Sequence, residues 1–300
     1  LTSLPEKTLA AYLEAEPLKE YRFHLEKMLR TKAHTLPSDQ EELLALSAKA
    51  LETAHKGFSA INDADFKFQS VEDSKKEPHD LTHGSFGVLL REQDRTLREN
   101  AYNGLHGKYL AYENTLCELL NGNVQGHLYQ ARARKYDSCL EAALYPKNID
   151  TSVYHSLIKA VNENLDALHD YVALRKKMLN LPQLELYDMY VPLTSDVEIK
   201  MSYEEAEAIV IESVAPLGPE YQEALLKGLK EERWVDRYEN ASKRSGAYSS
   251  GCYDSMPYIL MNYKGVLRDV FTLAHEAGHS MHSLLSHRTQ PYQYGDYPIF

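Results

Sequence analysis

Apolar residues recur three and four positions apart through most of the first two hundred residues, as in LEAEPLKEYRFHLEKMLR (13–30) and EELLALSAKALETAHKGF (41–58). That spacing predicts one amphipathic helix after another. The strongest such run is SVYHSLIKAVNENLDALHDYVALRKKMLN (152–180), which stops just before Leu181-Pro182. Helix starts carry their own chemistry: Ser3…Glu6, Ser38…Glu41 and Ser202…Glu205 each fit a capping box, in which a hydroxyl and a carboxylate satisfy orphan backbone N–H groups. A helix pair is expected over 95–138, interrupted near Asn121-Gly122.

Three stretches break the helical rhythm. ADFKFQSVED (64–73) alternates Phe66 and Phe68 with polar neighbours and predicts a short strand, and YDMYVPL (187–193) is rich in extended-chain formers. SKRSGAYSSGCYDSMPYILMNYKG (242–265) predicts turns and one or two strands, with Tyr258, Leu260 and Asn262 on one face and Ile259, Met261 and Tyr263 on the other. From Val266 the period returns to that of a helix. The fold class expected is therefore mainly α, with a small β-sheet beside the last helix.

That helix contains TLAHEAGHSMHS (272–283). His275 and His279 are one turn apart, so both imidazoles reach one side of the helix and a common cation at about 2.0–2.1 Å from each nitrogen. Glu276 points about 100° round the helix from His275, beside such an ion rather than onto it, as a general base would. Zinc lowers the pKa of a bound water from about 16 to about 7, and a carboxylate in reach can take its remaining proton during attack on a peptide carbonyl. Gly278 lies inside the helix at a cost of roughly 1 kcal/mol relative to alanine. Either a tight helix contact or a close substrate approach accounts for it. A third ligand is not evident: His282 shares the same helix face, His287 belongs to the last turn, and Asp296 lies in a loop.

Composition narrows the field. Lys+Arg number 33 against 44 Asp+Glu, a formal charge of −11, which argues against nucleic acid or an anionic membrane as partner. Cys117, Cys139 and Cys252 form no C-x-x-C and read as reduced, mostly packed thiols of a cytosolic protein. No run approaches the roughly 20 apolar residues of a membrane span, and the first residues lack the pattern of a signal peptide. Leu1 at one end and Tyr297-Pro298-Ile299-Phe300 at the other read as internal stretches, so a chain cut at both ends is expected.

Taken together, HEAGHSMHS, the upstream SGAYSSGCYDSMPYILMNYKG and the downstream QPYQYGDYPIF resemble oligoendopeptidase F, of the thimet-oligopeptidase group of zinc metallopeptidases. LTHGSFGVLL, ARARKYDSCLEAALY and the helical first half extend the resemblance over nearly the whole chain. It implies a helical metallopeptidase fold: residues 1–150 as a helical N-terminal region and 151–300 as the first part of the catalytic domain. It also implies one zinc ion, a channel for short peptides, and cleavage of internal peptide bonds in the cytoplasm. Carried over, His275 and His279 are zinc ligands and Glu276 the catalytic base. The third ligand, a glutamate, and the histidine and tyrosine that steady the oxyanion are expected beyond Phe300. Gly246, Ala247 and Tyr248 are expected near substrate, on an extended segment offering backbone groups to a peptide. Two other readings stand beside this one: a non-catalytic helical peptide-binding module with an incomplete zinc site, and a carboxypeptidase of similar build. The latter needs a group that captures a terminal carboxylate. Arg233, Arg237, Lys243 and Arg244 are the nearby cations, with a solvated cluster as their default.

Overall fold

Helices dominate the computed structural model, which describes residues 4–194 and 200–298. α1 (Glu6–Leu13), α2 (Arg22–Arg30), α3 (Ser38–Leu51) and α4 (Thr53–Ala60) precede the two-residue strands β1 (Val71–Glu72) and β2 (Pro78–His79). α5 (His83–Leu89), α6 (Arg95–Leu110), α7 (Glu113–Ala133), α8 (Cys139–Leu144), α9 (Thr151–Glu163) and α10 (Leu165–Met178) follow. α11 (Tyr203–Ser213) and α12 (Pro219–Leu226) lead to β3 (Val235–Asp236), β4 (Tyr248–Ser250) and β5 (Tyr258–Leu260), and then to α13 (Leu267–Thr289). The mainly α class and the small sheet beside the last helix are as the pattern predicts.

Packing divides the chain into two units, one of Leu1–Ser59, Glu113–His169 and Pro298–Phe300, the other of Ala60–Tyr112 and Asp170–Tyr297. In the first, Arg134 forks onto Glu41 at 2.6 and 2.8 Å, a bidentate charge-assisted pair. Glu41 also accepts from Leu36 N, so the expected box with Ser38 does not form and Pro37 takes the cap position. The Ser3 box falls outside the described residues. Gly122 does not interrupt the helix pair. It lies within α7, where a Cβ would come 3.2 Å from Ala54 Cβ, and the break falls instead at Ala111-Tyr112. The long run after residue 151 divides at Asn164, the C-cap of α9.

The second unit holds two apolar clusters. Leu81, Leu89, Leu97, Ala101 and Leu105 form the smaller. The larger joins Tyr203, Ala206 and Val210 of α11 to Trp234, Ile259 and Met261, and to Val270, Leu273, Ala277 and Met281 of α13. Each fully buried aliphatic side chain contributes about 1.5–3 kcal/mol. The three-stranded sheet runs β3-β5-β4, with β3 parallel and β4 antiparallel to β5, and Val235 and Ser249 both opposite Ile259. Ile259, Met261 and Tyr263 are buried while Tyr258 is exposed, the alternation read from the sequence.

Two expected extended stretches prove different. Of residues 64–73 only Val71–Glu72 pairs, with Pro78–His79; Ile61–Asp65 is a wide helical turn. Phe66 and Phe68 are spaced for aromatic packing rather than a ladder: Phe66 meets Tyr109 edge-on at 5.1 Å and Phe68 meets His83 at 5.0 Å. In 187–193 the chain makes a 3-10 turn, Leu186–Asp188. Arginines draw Asp188 inward. Its carboxylate is wholly enclosed and accepts from Arg98 Nη2 at 2.8 Å and Arg95 Nη2 at 3.0 Å, while Arg175 Nη2 donates to the Asp188 and Val191 carbonyls. Cys117 and Cys252 are exposed rather than packed.

Trp234 is fully buried against the turn Lys227–Glu231, and a Cβ on Gly228 would fall inside its indole. Gly228→Ala is expected to destabilise the fold by about 1–3 kcal/mol, as overpacking against a rigid ring does, read as a lower urea midpoint. Burial alone raises the Asp188 pKa, but the hydrogen bonds from Arg95 and Arg98 outweigh it and hold the carboxyl below its usual range. The stabilisation is therefore complete above about pH 4 and is lost as pH falls through the depressed folded value. Asp188→Asn is expected to cost about 3–5 kcal/mol at neutral pH and to flatten the acid limb of the stability curve.

Candidate active site

α13 is set by its two ends and by one face. Gly265, with φ of +84°, makes the turn into it, accepting from Met201 N at 3.0 Å; a Cβ there would meet Met201 O at 3.1 Å. Asp269 Oδ2 accepts from Lys264 N at 2.8 Å and Val266 N at 3.3 Å, satisfying backbone donors that the first turn leaves free. Tyr263, whose phenol burial pushes up to about 12, donates to the Met201 and Ser202 carbonyls. Ser202 in turn caps α11 in the capping box with Glu205 read from the sequence.

Along the helix, Val270, Leu273, Ala277 and Met281 are buried, and at 3.6 residues per turn this fixes where the others point. His275 is exposed and His279 partly so, whereas Glu276 is 8 % exposed. The two Nε2 atoms lie 3.1 Å apart with the rings edge to face, their centroids separated by 4.7 Å. Two unprotonated ring nitrogens at that distance repel unless a proton or a cation stands between them. Two nitrogens each about 2.0–2.1 Å from one tetrahedral ion are roughly 3.3 Å apart, so the pair fits two corners of such a site. Among the described residues no third His, Cys, Asp or Glu joins them in a group able to hold a metal.

The chain after α13 turns through Tyr292–Tyr294 and returns along the helix, Ser286 Oγ donating to Gly295 O at 3.2 Å. This brings Tyr297 to the histidines. Its hydroxyl is 2.8 Å from His279 Nδ1, and its ring stacks on His282 at 4.2 Å. In the tautomer with the proton on Nδ1, His279 donates to Tyr297 and keeps the Nε2 lone pair free. His282 is thus an aromatic partner of Tyr297, His287 packs against Tyr253 at 5.3 Å, and Asp296 is exposed. Nothing in the local sequence around Tyr297 points to this contact. Its role depends on a chain reversal that no local pattern encodes.

The stretch Gly246–Tyr248 enters β4, one of the two edge strands of the three-stranded sheet, which packs against α13. Gly246 has φ of +84°, and its carbonyl accepts from Asn262 Nδ2 at 2.8 Å. Ala247 packs against the larger apolar cluster, and Tyr248 is 42 % exposed opposite Leu260. An open cavity of about 550 Å³ lies against the strands, lined by Tyr248, Ser250, Tyr258, Leu260 and Asp236 among others, and does not include the histidine pair. Of the nearby cations, Arg237 sits 4.1 Å over the Tyr203 ring and pairs with Glu204 at 2.8 Å, and Lys243 Nζ donates to the Tyr238 and Asp236 carbonyls. Both are held by the scaffold.

Oligopeptidase PepF of Bacillus subtilis is 42% identical over 100% of this chain and 45% of its own length. The crystal structure of a Chlamydophila abortus protein matches with a TM-score of 0.74 at 44% identity, over 99% of this chain and 50% of that one. That of oligoendopeptidase-F from Enterococcus faecium matches with a TM-score of 0.67 at 31% identity, over 94% of this chain and 46% of that one. The chain spans about half the length of the curated relatives it matches. Matched over residues 88–300 by the model of peptidase family M3, and over residues 1–68 by that of Oligopeptidase F, the chain belongs to peptidase family M3.

Proposed function

We propose that this chain forms part of a zinc-dependent endopeptidase that cleaves internal bonds of short oligopeptides in the cytoplasm. The convergence of His275 and His279 Nε2 at 3.1 Å, in a chain of family M3, carries the reading. Residues 1–150 serve as the helical N-terminal region and 151–300 as the first part of the catalytic domain. His275 and His279 would hold one zinc ion, with a glutamate outside this sequence as the expected third ligand. When bound, zinc would supply Lewis-acid activation of the attacking water.

The protein's own groups do the rest. Glu276, on the same turn and largely shielded from solvent, takes a proton from the attacking water and later delivers it to the leaving amine. Tyr297 holds the His279 ring in one tautomer through Nδ1, which keeps Nε2 available as a ligand. β4 offers its open edge to an extended peptide, with Gly246, Ala247 and Tyr248 at its start, so that backbone hydrogen bonds align a substrate without reading its sequence.

Glu276→Gln is expected to lower turnover of an internally quenched oligopeptide by about 10²–10⁴-fold while zinc content is unchanged. Normal turnover by that variant would remove Glu276 from the mechanism, and mapping the products of peptides with blocked termini separates internal cleavage from carboxypeptidase action. Tyr297→Phe is expected to weaken zinc binding about tenfold in chelator competition, with the helical circular dichroism retained. Unaltered zinc affinity would make the Tyr297 contact incidental.

A further inference from the structure

β4 and α13 share one side-chain hydrogen bond, between Ser249 Oγ and Ser280 Oγ at 2.7 Å. Ser280 is fully enclosed, with Ala277 and Met281 of the same apolar face beside it. A hydroxyl among apolar side chains is unfavourable unless its polar atom is matched, and alanine would fill the position without that demand. Ser249 supplies the match. It lies opposite Ile259 in the sheet and points toward α13, while its neighbours Tyr248 and Ser250 point to the other face.

The position of this bond gives it consequence. Ser280 directly follows His279, so the tie meets α13 within one residue's rise, about 1.5 Å, of a histidine of the pair. Ser249 is the central residue of the three in β4. We propose that Ser249 and Ser280 are positioning residues whose hydrogen bond fixes the β4 edge relative to the histidine pair and thereby sets the affinity for an extended peptide. This rests on β4 being the peptide-binding edge. Neither serine touches the reacting atoms.

The test combines amide hydrogen exchange with peptide binding, in a Glu276→Gln background that prevents turnover. Ser249→Ala, Ser280→Ala and the double variant are compared using a fluorescein-labelled nonapeptide of mixed sequence. Each alanine variant is expected to speed exchange at the β4 amides and to weaken peptide binding by about three- to tenfold, the worth of one hydrogen bond. The double variant is expected to be no worse than the weaker single, because both remove the same interaction. Ser249→Thr keeps a hydroxyl on the strand and is expected to restore both properties, which a loss of packing alone would not allow. Wild-type exchange in both alanine variants, or fully additive effects, would overturn the tie. If exchange at β4 rises while peptide binding holds, or if the unaltered protein binds no peptide, the tie stands but its role in capture is overturned. The Glu276 turnover assay remains an independent measure of the peptidase reading.

Discussion

The histidine pair faces outward because the opposite face of α13 is buried. Val270, Leu273, Ala277 and Met281 enter a cluster shared with Tyr203, Trp234 and Ile259, and the pitch of the helix leaves no freedom in what remains. A rotation by one residue, about 100°, would carry a histidine toward the core and an aliphatic side chain to solvent. Glu276 sits between the two regimes. It is adjacent to an exposed histidine yet largely enclosed, which places a carboxylate beside the pair but away from bulk water. Anchoring at the N-terminus adds the remaining constraint: Tyr263 and Gly265 tie the approach to α13 to the start of α11, and Asp269 closes its first turn by accepting from Lys264 N and Val266 N.

The legible part of this design was the periodic part. The 3.6-residue spacing after Val266 placed α13, the alternation at Tyr258–Tyr263 placed β5, and the serine and glutamate at 202 and 205 marked a helix start. The misreadings have a common cause. Phe66 and Phe68 alternate like strand residues, but their rings meet distant aromatics edge to face; Gly122 resembles a break, but its missing Cβ serves a close approach to Ala54. Glu41 resembles a cap, but an arginine more than ninety positions away claims it. In each case a partner remote in sequence outweighed a local rule.

Similar reasoning applies at the site. His275, Glu276 and His279 are readable because one helix turn carries all three. Tyr297 and Ser249 were not, because each reaches α13 from another segment. Ser280 leaves a trace: a hydroxyl between Ala277 and Met281 of the apolar face is a departure from pattern that invites a search for its partner. The scaffold's own polar groups behave alike, with Asp188 enclosed only where Arg95 and Arg98 answer it.

The shortness of β4 has a consequence for the protein's behaviour in a crowded solution. An open strand edge invites other copies to pair with it and extend a sheet indefinitely. Here the edge is three residues long, roughly 10 Å, and is bounded by Gly246 with its positive φ and by Gly251, whose close approach to Met256 O leaves no room for a side chain. Growth from such an edge has too few rungs to hold. So short an edge is a poor template on which further copies of the chain could add strands.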